Sequence, residues 1–564
     1  MKRLSVLSLT ILIIAAPRLA LALPAPVIPK ESISADAPAL VKEAIEQLYT
    51  EDPEVQTAAL ERLEQQGSAA SFAVPFIMSM LPEIQPCWRL PLSFDCPDSP
   101  DDDAGHQLLH TLAGIGTAAV GPLVEALQDE NQLVREGAAW ALWRTWAQVP
   151  TAPMLAALHD VSPRVREDAA RRLGATSGED VTKALRAAAG DPDISVRTAA
   201  AAALAKRHDP EAATLLIAVL REGDREARCD AASTLRQLRD PRAVEPLMAA
   251  LRDDDENLRE DAADALGEIG DARAVPALIA SLKDKNSLTA AYAAYSLGKL
   301  HDPRAFEPLL DAFRAPDSPI RQATLEALGG IPDPRVLPVL LDALHDPMPE
   351  LRAAAARGLG RTRNAEAVEP LIAALRDSSS RVRGNAAYAL LALRAVNAVP
   401  SLVAALRVEE DSIAANILVA ALGRFGSHAV PPLAAALQDS DSRTRHRAAT
   451  ALAGTRNPAA AGALLAARDD ESASVRGAVL YALVQIRGWA TIPLLIQALD
   501  DSDPGIGSYA ATLLSGTTGQ HFGTNASKWR EWWEKETAIQ EEVDDEREHY
   551  NKERPPNAHV PESR

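Results

Sequence analysis

The sequence predicts an all-α fold, a solenoid of about fifteen stacked helical pairs, and three observations carry that expectation. The first is a thirty-one-residue period. Arg135, Arg166, Arg197, Arg228 and Arg259 stand one period apart; the column lapses at Ala290, returns at Arg321, Arg352 and Arg383, lapses at Ala414, and returns at Arg445 and Arg476. The second is that other columns keep the same step. Leucine follows the arginine by seven positions (Leu142, Leu173, Leu204 and on to Leu514) and precedes it by eight (Leu127, Leu158, Leu220 and on to Leu499). An acid precedes it by six (Asp129, Asp160, Asp191 and on to Asp501). The third is helical spacing inside each period, with no run of β-branched residues alternating with polar ones.

In chain order, the first element is a signal segment. Met1-Lys2-Arg3 gives a basic start, Leu4 to Ala16 is mostly apolar, and Ala20-Leu21-Ala22 is a small-x-small end, so residues 1–22 read as a secretory signal peptide cleaved after Ala22. Pro17 and Arg18 make that end imperfect, which leaves an uncleaved anchor open, although the apolar run is short for a spanning helix. The repeats are expected over residues 37–515, interrupted over 84–103 by a Pro-rich stretch that holds Cys87 and Cys96. In an oxidising compartment these two are expected to form a disulfide, with Cys229 a free, partly buried thiol.

The unit from Ala243 to Gly270 shows what one period encodes. Val244, Leu247, Met248 and Leu251 put an apolar face on a first helix, and Pro246 sits near its start, where a missing N–H costs little. Asp253-Asp254-Asp255 breaks that helix and offers oxygens to cap the next. Leu258, Ala262, Ala265, Leu266 and Ile269 form a second apolar stripe that ends at Gly270. Alanine pairs on the second helix, such as Ala262-Ala263, favour helix and let neighbouring helices approach closely. After the last repeat, residues 516–537 carry Trp529, Trp532 and Trp533 on one helical face, the composition of a cap over the terminal core. A separate site for sugars or peptides is the alternative. Residues 538–564 are rich in Glu, Asp, Pro and Asn and are expected to be a disordered acidic tail.

Composition excludes some functions. Lys and Arg total 58 against 78 Asp and Glu, a formal net charge of -20. Nucleic acid needs a basic footprint and anionic lipid repels such a chain, so neither is an expected partner. The same imbalance favours a basic partner where acids cluster.

The pattern AVxPLxxAL…D…VRxxAAxALG, seen at Ala367 to Leu375 and on through Asp377, Val382, Arg383 and Leu390, resembles the HEAT-repeat superfamily. The closest branch is the bacterial phycobilisome-lyase HEAT-like repeats. The resemblance implies a right-handed α-solenoid in which the second helix of each pair lines a concave side. It also implies that the arginine and aspartate columns hydrogen-bond between layers. The superfamily spans scaffolds, transport adaptors, chromophore lyases and a few DNA-repair enzymes, so likeness of fold does not give function.

If the second helices line a groove, positions one, two and five after the arginine should face it. Those positions supply Glu136, Trp140, Glu167, Asp168, Asp230, Glu260, Asp261 and Asp264 early in the chain, and Tyr292, Tyr295, Asn385, Tyr388, Asn416 and Tyr481 later. The expected function is therefore an exported, periplasmic or secreted bacterial scaffold without enzymatic activity. It would be a monomer, without a cofactor or stable membrane insertion once the signal is cleaved, binding protein or peptide partners along this face. A chromophore-lyase-like enzyme or a small-ligand-binding solenoid is the alternative.

Catalytic motifs are scarce: no nucleophile elbow, phosphate-binding loop, CxxC pair or HExxH occurs. His106 and His110, four apart, could share a metal, but Gln107 stands where a metalloprotease would need its glutamate. Trp140, Trp143 and Trp146, with Trp88, form the densest aromatic region, expected to fill an irregular core or else to line a pocket.

Overall fold

The computed structural model describes residues 25–81, 104–315 and 319–538. The signal segment, the Cys87 and Cys96 stretch with Trp88, and residues 539–564 lie outside them. Among the described residues there are thirty α-helices in fifteen consecutive pairs, a further helix over 526–538, and no strand. They divide into two compact units, Met1–Ile269 and Gly270–Arg564. We call the first helix of each pair A and the second B.

Each pair is punctuated by short polar side chains. Asp240 accepts from the Arg242 N–H at 2.9 Å and opens the 3-10 turn Pro241–Ala243, which runs into the A helix Val244–Ala250. Asp271 and Asp302 repeat the device before their own A helices. Asp255 accepts from the Asn257 N–H at 2.9 Å and starts the B helix Glu256–Ile269. These caps satisfy amide donors that a helix start leaves unpaired. At the far end Gly270 adopts φ 80, but the matching positions elsewhere are Arg239, His301, Arg363, Arg394 and Arg456, all with positive φ.

The core lies between the A and B rows of each unit. Leu247, Leu266, Leu371 and Leu390, members of the two leucine columns or their helical neighbours, are fully buried. Successive B helices approach closely through small residues. A Cβ on Gly329 would meet the Gly358 carbonyl oxygen at 2.2 Å, and one on Gly360 would meet Ala389 Cα at 2.8 Å, so both positions require glycine.

The charged columns form the inter-repeat ladder. Arg166 Nε and Nη2 donate to Asp191 at 2.7 and 2.8 Å, while its Nη1 donates to the Asp160 carbonyl of its own turn at 2.9 Å. Arg352 does the same with Asp377, Arg445 with Asp470 and Arg476 with Asp501. The lapses have structural answers. At Ala290 the acid one step on is also missing, because Ala315 occupies its place. At Ala414, Arg407 from the A helix pairs with Asp439 at 3.0 Å. Arg447 takes the Leu406 and Glu409 carbonyls at 3.1 and 2.7 Å, the second of which a column arginine would have served.

Ala473–Ala498 is long and apolar enough by composition to span a bilayer. In the fold it is a B helix and the next A helix, broken at Gly488 with φ 53, and Val475, Val479, Ile492 and Leu495 are buried between repeats. The last B helix runs to Thr518, slightly beyond the repeat boundary expected from sequence. The helix over 526–538 covers the end of the core: Trp529 is 0% exposed, packs with Leu495 and Leu514, and its indole N–H donates to the Gly523 carbonyl at 2.8 Å.

Candidate functional site

The B helices present the candidate surface. Counting from the arginine column, position five is open in both units: Trp140, Asp264 and Tyr295 are half-buried, while Tyr388 and Tyr481 are exposed. Position two is mixed, with Asp230, Tyr292 and Asn416 exposed and Asp261 and Asn385 half-buried. At position one Glu167 and Glu260 are half-buried.

Two of the expected residues face inward. Glu136 is 2% exposed and accepts from the Ser162 hydroxyl at 2.7 Å and the Gln132 amide at 2.6 Å, so it ties two repeats together and is not offered to a partner. Asp168 is 6% exposed. Its carboxyl is pushed up to about 8, first by burial and then by repulsion from Glu167, against the opposing pull of Arg171 and Arg164. Positions one and two lie on the flank where one B helix meets the next, which is why they do not open uniformly.

The sequence reading missed a column two residues before the arginine. Glu226, Asn257, Leu288, Glu350, Arg381 and Arg443 are all exposed there. The signal was available: this column stands four before position two and seven before position five, the spacing of one helical face.

In the first unit this face is acidic. Arg171 pairs with Glu167 at 2.5 Å and Arg236 with Asp264 at 2.6 Å, amid Glu226, Asp230, Glu260 and Asp261. Burial raises the Asp261 carboxyl to about 6, with Glu260, Asp264 and Asp230 adding to the rise and Arg236 opposing it. The described tryptophans fill the core only in part. Trp140 and Trp143 are half-buried, Arg144 lies 5.5 and 5.6 Å over their rings, Arg171 lies 4.7 Å over Trp143, and Trp146 is 74% exposed. His110 packs edge-on against Trp140 at 4.9 Å, and the His106 side chain lies outside the described residues. Among the described residues no three His, Cys, Asp or Glu form a group that could hold a metal. Cys229 is a half-buried free thiol, pushed up to about 11 chiefly by burial and then by Asp255 and Asp261, so it is a poor nucleophile.

In the second unit the face is aromatic and mixed in charge. Tyr295 lies beside the Glu326–Arg357 ion pair, and burial followed by the Glu326 charge raises its phenol. Tyr292 is 38% exposed and Tyr388 is 56% exposed.

A family model described as HEAT repeats matches residues 151–236, 213–291, 275–348, 337–423 and 417–484, more than half of the chain. The chain belongs to the HEAT-repeat family. Among solved structures it is similar to a chain of the complex of CpcE and CpcF of phycocyanin lyase from Nostoc sp. PCC7120, with 26% identity over 43% of this chain and 94% of that one, TM-score 0.31. It is similar to importin beta at 14% identity over 86% of this chain and 76% of that one, TM-score 0.45. Human deoxyhypusine hydroxylase shares 27% identity over 50% of this chain and 98% of that one, TM-score 0.23. No curated protein matches the sequence. As a HEAT-repeat protein the chain uses its Arg and Asp columns for the fold.

Proposed function

We propose that this HEAT-repeat protein is an exported, monomeric, non-enzymatic scaffold, periplasmic or secreted, that binds protein or peptide partners on its B-helix faces. Basic segments dock on the first unit. The observation that supports this reading is the acidic strip there: Glu226, Asp230, Glu260 and Asp261 stand open or half-open, and Asp261 is raised first by burial and then by the neighbouring acids. A lysine- or arginine-rich segment relieves that repulsion and gains steering from the field of the strip. The exposed tyrosines of the second unit supply amphipathic anchors of the type that dominates interface energetics. Export rests on the basic-apolar start of the chain.

The test replaces Glu226, Asp230, Glu260 and Asp261 together by lysine and titrates wild type and variant with a lysine-rich peptide. The expected result is a loss of binding on the order of a hundredfold, as several rim charges change sign. Equal affinity for both forms sinks the reading. Recovery of the chain from the cytoplasmic fraction with residues 1–22 intact sinks its export half.

A further inference from the structure

A cleft at the end of the second unit lies apart from the acidic strip, and its chemistry differs. It has a volume of about 590 Å³ and is bounded by the A helix Ile492–Ala498, the turn that carries Asp500 and Asp501, and the helix over 526–538. Trp533 forms one wall and Leu494 an apolar lining, while Gln497 stands exposed at the rim. Three ion pairs edge the cleft, Arg476–Asp501 and Arg530–Asp500 at 2.5 Å and Arg468–Asp469 at 3.0 Å.

Capping accounts for Trp529, which is 0% exposed. Trp532 and Trp533 pack partly against the same core, but capping leaves neither fully covered. Trp533 is only half-buried and packs beside Trp532 at 6.0 Å and Trp489 at 6.4 Å, and Trp489 is 48% exposed. A cluster of indoles left partly in water forgoes much of the burial free energy that its area offers.

We propose that this cleft binds a neutral oligosaccharide. Three of the four acids that line the cleft, Asp469, Asp500 and Asp501, are paired with Arg468, Arg530 and Arg476, with Glu534 the fourth, so charge largely cancels and a strongly charged ligand would have to displace a pair. In the Arg530–Asp500 pair the carboxylate keeps lone pairs and the guanidinium keeps N–H donors, whereas the N–H groups of Arg476 are spent on Asp501, Ser502 and the Asp470 and Glu471 carbonyls. Gln497 adds one amide that both donates and accepts. Hydroxyls, which donate and accept at once, satisfy such a mixed array, and the C–H face of a pyranose ring lies flat on an indole. The volume falls within the range of about 300–1,000 Å³ typical of small-molecule sites. The proposal is independent of the scaffold reading and shares no residue with its test.

The experiment titrates the full chain with maltotriose, cellotriose and triacetylchitotriose, reading tryptophan emission and calorimetric heat, with trilysine and triglutamate as charged comparators. At least one trisaccharide is expected to give a saturable shift at millimolar concentration or below. Gln497→Ala and Trp533→Ala should each weaken it at least tenfold, whereas Trp533→Phe should retain most of it. Unchanged melting of the exposed-site variant Gln497→Ala separates loss of binding from loss of fold. Binding of none of the three sugars, binding of the charged peptides alone, or sugar binding indifferent to both Gln497→Ala and Trp533→Ala overturns the proposal.

Discussion

Asp168 sits at a position that reads as surface in other repeats, yet it is 6% exposed and its carboxyl is raised to about 8. An acid whose folded pKa lies above its unfolded value stabilises the fold below the unfolded pKa, and that contribution is lost as pH rises through the folded one. Asp168→Asn is therefore expected to be nearly neutral at about pH 4 and to stabilise on the order of 2–4 kcal/mol above about pH 8, measured by thermal melts across that window. A uniform shift at all pH values would contradict the assignment. Arg394 gives a second test at this scale. It holds φ 53, a conformation that costs a side-chain-bearing residue roughly 1 kcal/mol. Arg394→Gly should raise the unfolding midpoint by a few degrees, less the extra freedom glycine gives the unfolded chain. Neither residue was legible as special in sequence. The columns say which positions correspond between repeats, but not how closely each neighbour packs on them.

The repeating element is a pair of short helices whose loops are fastened to the next pair. The ladder arginines make this fastening, and their hydrogen bonds hold Asp191, Glu409, Asp470 and Asp501 below the ordinary carboxylate range. Acids depressed in this way contribute stability above their unfolded pKa and lose it as pH falls through the folded value. The ladder should therefore fail only in acid, below about pH 4. In Arg166→Ala, Asp191 keeps little exposure and loses its partner, so a loss of about 2–4 kcal/mol is expected by denaturant titration at neutral pH. A much smaller loss would show that water replaces the arginine. At the end of the array, Trp529→Ala empties a fully buried site and should cost about 3–5 kcal/mol. Ladder and cap were both readable in sequence, because one repeats every period and the other breaks the pattern with three tryptophans. The substitution of Arg407 and Arg447 for the missing arginine at position 414 was not readable, since those two residues come from different helices.

Across the whole molecule, the net charge of -20 is distributed unevenly in its consequences. Ladder acids are neutralised by arginine, whereas the acids of the first unit's B-helix face include several without such a clamp, the face on which the proposed basic partner docks. Binding of a lysine-rich peptide is therefore expected to weaken steeply with salt, as screening shortens to about 8 Å at physiological ionic strength. It should weaken further below about pH 6 as Asp261 takes up a proton. Calorimetry at two salt concentrations and two pH values checks both; affinity flat in salt would remove the electrostatic basis of the scaffold reading.

The thirty-one-residue period, the apolar stripes and the capping residues by themselves determined the all-α repeat fold, because each is a local instruction issued many times over. Only the tertiary structure decided which polar groups stay in water. Glu136 and Asp168 share their columns with less buried residues such as Glu167 and Asp230, and the difference lies in how neighbouring helices close over them. Burial is a property of the packed neighbours and not of the residue itself, so no column of letters could state it.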